Sequence, residues 1–321
     1  MANFDVFNGD ADGICALHQL RLAEPRDSVL ITGVKRDIDL LKKVRASDGD
    51  RITALDISLD KNRDSLQNLL GQGAQITYVD HHFAGDIPHH PALNAIINPS
   101  SGVCTSSLVD ELLQGQFRIW AVVAAFGDNS PGCATRLAAF LNVSSDDLDL
   151  LAELGACLNY NAYGDTVNDL FFHPAELYRC LHAYSNPFDF IKAETVFPIL
   201  KRGYTADIAM AQAEQPAWTY SGGAVYILPD QPWSRRVSGA FGNYLAQAEP
   251  KLAHAVLTQK PDGGYGVSVR AARANPKSAD ELCYEFESGG GRKSAAGINF
   301  LPERDLTRFL DRFETTFRPP Q

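Results

Sequence analysis

The sequence predicts an α/β protein. An N-terminal domain has a mainly parallel sheet with helices on both faces, and a smaller α/β C-terminal domain has a mixed sheet. Three observations lead there. Short runs rich in β-branched and aromatic residues alternate with helical segments through the first hundred residues. A second alternation begins with Ala224. The composition is ordinary for a globular chain: 45% hydrophobic and 21% charged over 321 residues, enough for about two domains with sizeable cores.

Taken in order, Phe4 to Phe7 reads as a strand, Ile14 to Leu22 as a helix and Ser28 to Thr32 as a second strand. Asp37 to Val44 reads as a second helix and Ile52 to Ile57 as a third strand. Ser58 is placed to cap a third helix running to Leu70, which Gly71 and Gly73 stop. Ile76 to Val79 is a fourth strand. Thr105 to Leu158 is mostly helical, broken by the turn cluster Gly127-Asp128-Asn129-Ser130-Pro131-Gly132. Leu181 to Gln215, with Pro187 and Pro198, reads as an irregular helical connector. Ala224 to Leu228 is a strand and Val237 to Gln247 a helix. Ala253 to Gln259 and Tyr265 to Arg270 are strands joined by Lys260-Pro261-Asp262-Gly263-Gly264, a hairpin signal. Glu303 to Phe313 is a closing helix. The expected organisation is 1–185, a connector at 186–216, and 217–321.

Composition excludes several classes. The longest apolar run, Ile119 to Phe126, is too short to span a bilayer. The first residues show no signal-peptide pattern, so a cytoplasmic protein is expected. Six scattered cysteines form no CxxC pair, which argues against a zinc ribbon or a disulfide scaffold. The net charge is −10 and unevenly placed. Residues 1–200 hold 14 basic and 26 acidic side chains, and residues 201–321 hold 15 and 13. A protein that tracks long nucleic acid carries a basic footprint, which is lacking here. A small anionic substrate needs only a few well-placed cations.

Acidic groups gather where strands end. Asp10 and Asp12 follow the first strand, Asp56 closes the third, Asp80-His81-His82 closes the fourth, and Asp128 lies in the later turn cluster. The carboxyl ends of parallel strands share one edge, where ligands bind. Carboxylates converging there need positive compensation, which divalent cations supply. Mixed carboxylate and imidazole ligation suits Mn²⁺ before Mg²⁺ or Fe²⁺. Taken singly, Asp10-Ala11-Asp12-Gly13 reads equally as a helix cap, and Asp56 and Asp128 read as loop residues. The joint pattern carries the inference.

The segments Phe7-Asn8-Gly9-Asp10-Ala11-Asp12-Gly13, Asp56, Asp80-His81-His82 and Gly127-Asp128 resemble the four motifs of the DHH phosphoesterase superfamily. Glu287 to Gly297 resembles the glycine-rich signature of the DHH-associated C-terminal domain, preceded by Val267-Ser268-Val269-Arg270. The resemblance spans nearly the whole chain. It implies two divalent cations, Mn²⁺ first and Mg²⁺ second. Asp10 and Asp56 would hold one ion, with the uncharged Asn8 where relatives carry Asp or His. Asp12, Asp56, His81 and Asp128 would hold the other, with Asp56 bridging. Asp80 would orient an imidazole, and His82 would face the substrate phosphate. Hydroxide generated between the ions would attack phosphorus in line. Gly289, Gly290, Gly291, Arg292, Lys293, Ser294 and Arg270 would grip the substrate. Arg292 stands where many relatives have His and offers a fork to phosphate.

The expected function is therefore metal-dependent hydrolysis of a phosphoester in a small nucleotide. The candidates are a short oligonucleotide, a linear dinucleotide or a 3′-phosphorylated nucleotide. An exopolyphosphatase or pyrophosphatase is the enzymatic alternative. A weakly catalytic or non-catalytic nucleotide sensor is the other, motivated by Asn8. The expected partner is the small nucleotide or short oligonucleotide itself, with no membrane and no long nucleic acid. A homodimer is left open. Lys35-Arg36 reads either as a substrate contact or as a solvated pair at a helix start. Asn159 to Gly164 is a candidate aromatic face for a base, with buried tyrosine as the ordinary reading.

Overall fold

The computed structural model describes residues 1–272 and 279–319. The chain divides into two compact units, Met1–Arg202 and Gly203–Gln321.

The first unit is built on five parallel strands: β1 (Asn3–Phe7), β2 (Val29–Ile31), β3 (Arg51–Leu55), β4 (Gln75–Asp80) and β5 (Leu93–Ile97). Their order is β2-β1-β3-β4-β5. Chain direction across the sheet therefore reverses between β1 and β3, and a crevice opens at such a point beyond the strands' carboxyl ends. Strand alternation feeds two cores. Phe7, Leu55 and Val79 pack on one face with Leu17, Trp120 and Val123. Val6, Ile52, Ala54 and Tyr78 pack on the other with Leu41, Leu66 and Leu69. Each fully buried large aliphatic or aromatic side chain here contributes roughly 1.5–3 kcal/mol.

Helix α1 (Ala11–Ala23) follows β1 and is buried along most of its length. It starts one turn earlier than the sequence pattern suggests, because Asp10 is its N-cap. Helix α2 (Leu59–Gly71) lies over the second face. The expected Ser58 cap is not made: its hydroxyl donates to the Phe83 carbonyl at 3.4 Å. The expected helix at 37–44 shrinks to a 3₁₀ turn, Leu40–Lys43. Asn62 accounts for this by accepting from Leu41 N at 3.0 Å and so fixing the segment as a packed loop. Strand β5 lies at the sheet edge between proline-flanked loops and is an addition to the four strands expected from sequence.

Helices α3 (Thr105–Leu112), α4 (Arg118–Gly127), α5 (Pro131–Ala138), α6 (Ser145–Tyr160), α7 (Pro174–His182) and α8 (Pro187–Ala193) complete this unit. The Ser144 hydroxyl accepts from Asp147 N at 3.1 Å and starts α6. Gly127 packs so closely that a Cβ there would lie 2.4 Å from the Ala11 methyl. This contact holds the end of α4 against α1 and brings Asp128 to the sheet edge. Residues 186–216, expected from sequence to be a connector, do not form a separate segment. Phe190, Val196, Phe197 and Leu200 lie in the first unit's core. Helix α9 (Val196–Ala213) runs past the division between units.

The second unit has a six-stranded sheet. Its strands are β6 (Trp218–Tyr220), β7 (Gly223–Leu228), β8 (Ala253–Lys260), β9 (Gly264–Arg270), β10 (Gly289–Arg292) and β11 (Ala295–Pro302). The order is β10-β11-β9-β8-β7-β6. Strands β7 and β8 are parallel and the other pairs antiparallel, so the sheet is mixed as expected. Helices α10 (Pro232–Ala248), α11 (Ala279–Tyr284) and α12 (Leu306–Phe317) accompany it. Helix α12 buries Phe309, Phe313 and Phe317, spaced four apart on one stripe. The predicted β8–β9 hairpin forms, with Lys260 paired to Gly264. No helix among the described residues is long and apolar enough to cross a membrane.

Candidate metal centre

The turn after β1 supplies Asn8, Asp10 and Asp12. Asp10 Oδ1 accepts from Asp12 N at 3.1 Å and Gly13 N at 3.0 Å, satisfying the first turn of α1. The helix-cap reading of Asp10 is therefore correct. Asp12 lies within that first turn and is fully buried. It also caps α3 from outside: its carboxylate accepts from Thr105 N and Ser106 N, each at 2.7 Å. The N-terminal end of α3 favours that negative charge. Asp56 follows β3 with φ of 58°, a left-handed backbone uncommon outside glycine. Such strain costs about 1–3 kcal/mol and persists where the surroundings hold it, often at functional sites. Asp56 Oδ1 accepts from Thr105 Oγ1 at 2.9 Å.

These carboxylates meet at His81. Its Nε2 lies 3.5 Å from Asp56 Oδ1, 3.9 Å from Asp128 Oδ2 and 4.0 Å from Asp12 Oδ2. Its Nδ1 lies 2.9 Å from the Val103 carbonyl oxygen. A carbonyl only accepts, so Nδ1 carries a proton, and Nε2 is the nitrogen turned toward the carboxylates. A metal there requires the tautomer protonated at Nδ1, and the Val103 carbonyl orients the ring. Ligands each about 2.1 Å from one ion lie about 3–4 Å from each other. Donor atoms of Asp12, His81 and Asp128 lie close enough together to share a divalent cation. Atoms of Asp56, His81 and His82 form an overlapping second group.

The electrostatics show what the cluster lacks. Burial first, and then the charges of Asp10, Asp12, Asp128 and Asp80, push the Asp56 carboxyl well above its ordinary range. Burial also raises Asp128; Lys35 opposes that, while Asp12 and Asp10 reinforce it. A divalent cation relieves such crowding. Asp10 behaves differently. Burial pushes it up, but the charge of Lys35 and its hydrogen bond outweigh that, and its pKa falls.

Asp80 is fully buried, and its Oδ1 lies 2.7 Å from His82 Nδ1. A carboxylate only accepts, so that nitrogen bears the proton. Asp80 thus orients His82, not His81. Burial disfavours the His82 cation, but the hydrogen bond and charge of Asp80 prevail and raise its pKa. The His82 side chain is 42% exposed and accessible to a ligand.

Sequence reasoning missed several contributors. Thr105 and Ser106 position two of the carboxylates, and their only advance signal is a run of hydroxyl residues at a helix start. Lys35 is neither a solvated pair with Arg36 nor a group held out for substrate. It pairs with Asp10 and lies 3.4 Å from Asp128 Oδ1 and 3.3 Å from Asn159 Oδ1. Arg36 pairs with Asp165 at 2.8 Å. Tyr160 is buried, and the Tyr163 hydroxyl accepts from Asn159. Asn8, expected near the first ion, spends its amide on the backbone. Its Oδ1 accepts from Asp10 N at 3.2 Å and its Nδ2 donates to the Lys35 carbonyl at 3.1 Å.

The expected substrate grip lies in the second unit. Gly289, Gly290, Gly291 and Arg292 are strand β10, not a loop, paired in register with Ala295 to Ile298 of β11. Lys293 and Ser294 form the exposed turn between them. Ala279 N donates to the Lys293 carbonyl at 2.9 Å and Ala271 N to that of Ser294 at 3.0 Å. The Arg270 guanidinium donates to Asn243 Oδ1, Ser268 Oγ and the carbonyls of Val269 and Gly239, bracing α10 against β9.

Solved structures share this architecture. A RecJ exonuclease bound to manganese superposes with a TM-score of 0.66 at 18% identity, over 99% of this chain and 91% of that one. This is the RecJ fold. RecJ of Thermus thermophilus in complex with Mn²⁺ gives 0.60 at 17% identity, and the present chain, wholly aligned, spans 52% of it. A pGpG-specific phosphodiesterase from Vibrio, PggH, gives 0.60 at 15% identity, over 99% of both chains. No protein-family model matches the chain. No curated protein matches it either.

Proposed function

We propose that this chain is a DHH-type, divalent-cation-dependent phosphoesterase that hydrolyses small nucleotides, with Mn²⁺ as the preferred ion. The observation that carries this reading is the convergence of Asp12, Asp56 and Asp128 on His81 Nε2, the ring nitrogen left for a metal once Nδ1 bonds the Val103 carbonyl. A cation held there would supply Lewis-acid polarisation of a phosphoryl oxygen and activation of water. The chain's own residues do the rest. Asp12, anchored on α3, and Asp56, held by Thr105, fix the carboxylates. His82, whose pKa the Asp80 hydrogen bond and charge raise against burial, faces the charge developing on phosphoryl oxygens.

A nucleotide is favoured over inorganic phosphate chains by Phe83. It directly follows His82 and is 74% exposed, which gives a base an aromatic face to stack on. The RecJ fold spanning the full length of a neighbour named as a pGpG-specific phosphodiesterase supports a linear dinucleotide among the small nucleotides.

The test is product release with Mn²⁺ on a matched panel. It holds a 5′-phosphorylated dinucleotide, adenosine 3′,5′-bisphosphate, pyrophosphate and a short polyphosphate, with Asp56→Ala as the blank. Cleavage of the nucleotides, lost in the blank and with EDTA, is the expected result. Cleavage of the inorganic substrates alone moves the protein to the polyphosphatase class. Tight nucleotide binding without turnover makes it a sensor.

A further inference from the structure

We infer that the Lys35 ammonium takes the place of a second metal ion, so that the centre holds a single divalent cation. The inference rests on the metal-centre reading above and deepens it. It starts from a ligand count. The resemblance assigns one ion to Asp10 and Asp56, with Asn8 at a usual ligand position. Asp10 Oδ1 is occupied by the N–H groups of Asp12 and Gly13. Asp10 Oδ2 is occupied by Lys35 Nζ. Asn8 Oδ1 is occupied by Asp10 N, and Asn8 Nδ2 by the Lys35 carbonyl. Turning the Asn8 amide over would set its NH₂ against the Asp10 N–H, two donors face to face, so the orientation is fixed by the network. Three of the four acceptor sites of the Asp10 carboxylate are thus taken, and an ion drawn to the remaining one meets the Lys35 ammonium already seated on that oxygen.

Lys35 fits the role of a built-in cation. An ammonium has three donors, and Nζ has three oxygens around it: Asp10 Oδ2, Asp128 Oδ1 at 3.4 Å and Asn159 Oδ1 at 3.3 Å. Its backbone is pinned on both sides. Lys35 N donates to the Ala162 carbonyl at 2.9 Å, and the Lys35 carbonyl accepts from Asn8. Asp128 joins the two halves of the centre, with Oδ1 facing Lys35 and Oδ2 facing His81 Nε2. The positive pole beside the His81 cluster is therefore covalently part of the chain. Asn8 and Lys35 then belong together. An aspartate at position 8 would add a negative charge and call for a second metal, whereas the neutral amide positions the lysine. Lys35 is a positioning and charge-compensating residue for the ion held by Asp12, Asp56, His81 and Asp128.

The experiment counts manganese. The full-length protein is loaded with Mn²⁺ and gel-filtered, bound metal is measured by plasma mass spectrometry, and the Mn²⁺ electron paramagnetic resonance spectrum is recorded. Wild type should carry one ion per chain with an uncoupled spectrum. Lys35→Met removes the charge at similar length and frees Asp10 Oδ2. It should carry two ions, or show the spectrum of a spin-coupled pair. Lys35→Arg keeps the charge and should stay at one. Two ions in wild type would overturn the inference whatever the variants do, including a Lys35→Met that fails to fold. A folded Lys35→Met that stays at one ion would overturn it as well. No bound Mn²⁺ in wild type would overturn both this inference and the metal-centre reading. One ion with no turnover on the substrate panel would leave the inference standing and reject the phosphoesterase.

Discussion

His18 links the scaffold of the centre to acid stability. It lies on α1, the helix whose first turn carries Asp12, and it is fully buried. Its Nε2 lies 2.9 Å from the Tyr184 carbonyl, so Nε2 donates and the ring is neutral. Nδ1 has no partner. Trp120 packs edge-on at 4.6 Å between ring centroids, and His182 sits at 5.8 Å. Burial is the main cause that lowers the His18 pKa, from 6.5 to about 3; the Tyr184 bond opposes it and His182 adds to it. The folded chain therefore leaves His18 unprotonated where the unfolded chain takes up a proton. Stability is present above pH 6.5 and is lost as pH falls toward 3. One pKa unit is worth about 1.4 kcal/mol, so the full loss is about 5 kcal/mol, and the loss between pH 6.5 and 4.5 is about 2 kcal/mol. The assay is urea unfolding in EDTA at pH 6.5, 5.5 and 4.5, followed by tryptophan fluorescence. The comparison is His18→Leu. Leucine removes the donor to Tyr184, and an unsatisfied buried carbonyl costs roughly 1–3 kcal/mol at every pH. The crevice carboxylates titrate equally in both proteins and cancel in the difference. Wild type should therefore lose about 2 kcal/mol more than the variant over that range. Parallel losses would refute the reasoning.

Four further outcomes follow from the same structure. Arg21 and Asp5 form a buried pair, with Nε to Oδ2 at 2.8 Å. Arg21→Met should cost about 3–5 kcal/mol in urea unfolding, and adding Asp5→Asn should recover much of it. Asp12→Ala strips two N–H groups of α3 of their acceptor. It should lower stability by roughly 1–3 kcal/mol for each and abolish Mn²⁺ retention, read by melting and metal analysis. Asp80→Asn should leave the ion count unchanged and lower kcat by roughly 10²-fold, because His82 loses the charge that raises its pKa and the acceptor that orients its ring. Gly289→Ala places a Cβ 1.7 Å from the Cys283 carbonyl oxygen. It should destabilise the protein by about 1–3 kcal/mol or more in a thermal melt without changing bound Mn²⁺.

Much of this protein is legible from residue order. Alternating strand and helix patterns announce the parallel sheet, because each apolar face must be buried by the next element. Strand ends carrying Asp10, Asp56 and Asp80-His81-His82 announce the crevice, because parallel strands share one carboxyl edge. Asp10, Asp12, Asp56 and Asp128 lie near one another for that reason. Beyond that, local pattern misleads where tertiary contacts prevail. Residues 37–44 have helical spacing, yet Asn62 holds them as a packed loop. Gly289 to Gly291 carry no strand pattern, yet pairing with β11 makes them a strand. Phe190 and Leu200 sit in a segment that reads as a connector, yet they complete a core.

The sequence by itself determined which carboxylates and imidazoles meet, since strand order and chain direction require it. Only the tertiary structure decided what each one does there. The Val103 carbonyl selects the His81 tautomer, Thr105 and Ser106 anchor Asp12 and Asp56, and Asp80 serves His82. Lys35, twenty-five residues from Asp10 along the chain, becomes its counter-ion. Hydrogen bonds and ion pairs form between groups a few ångströms apart in space. Spacing along the chain carries no record of which lysine or carbonyl the fold brings to that distance.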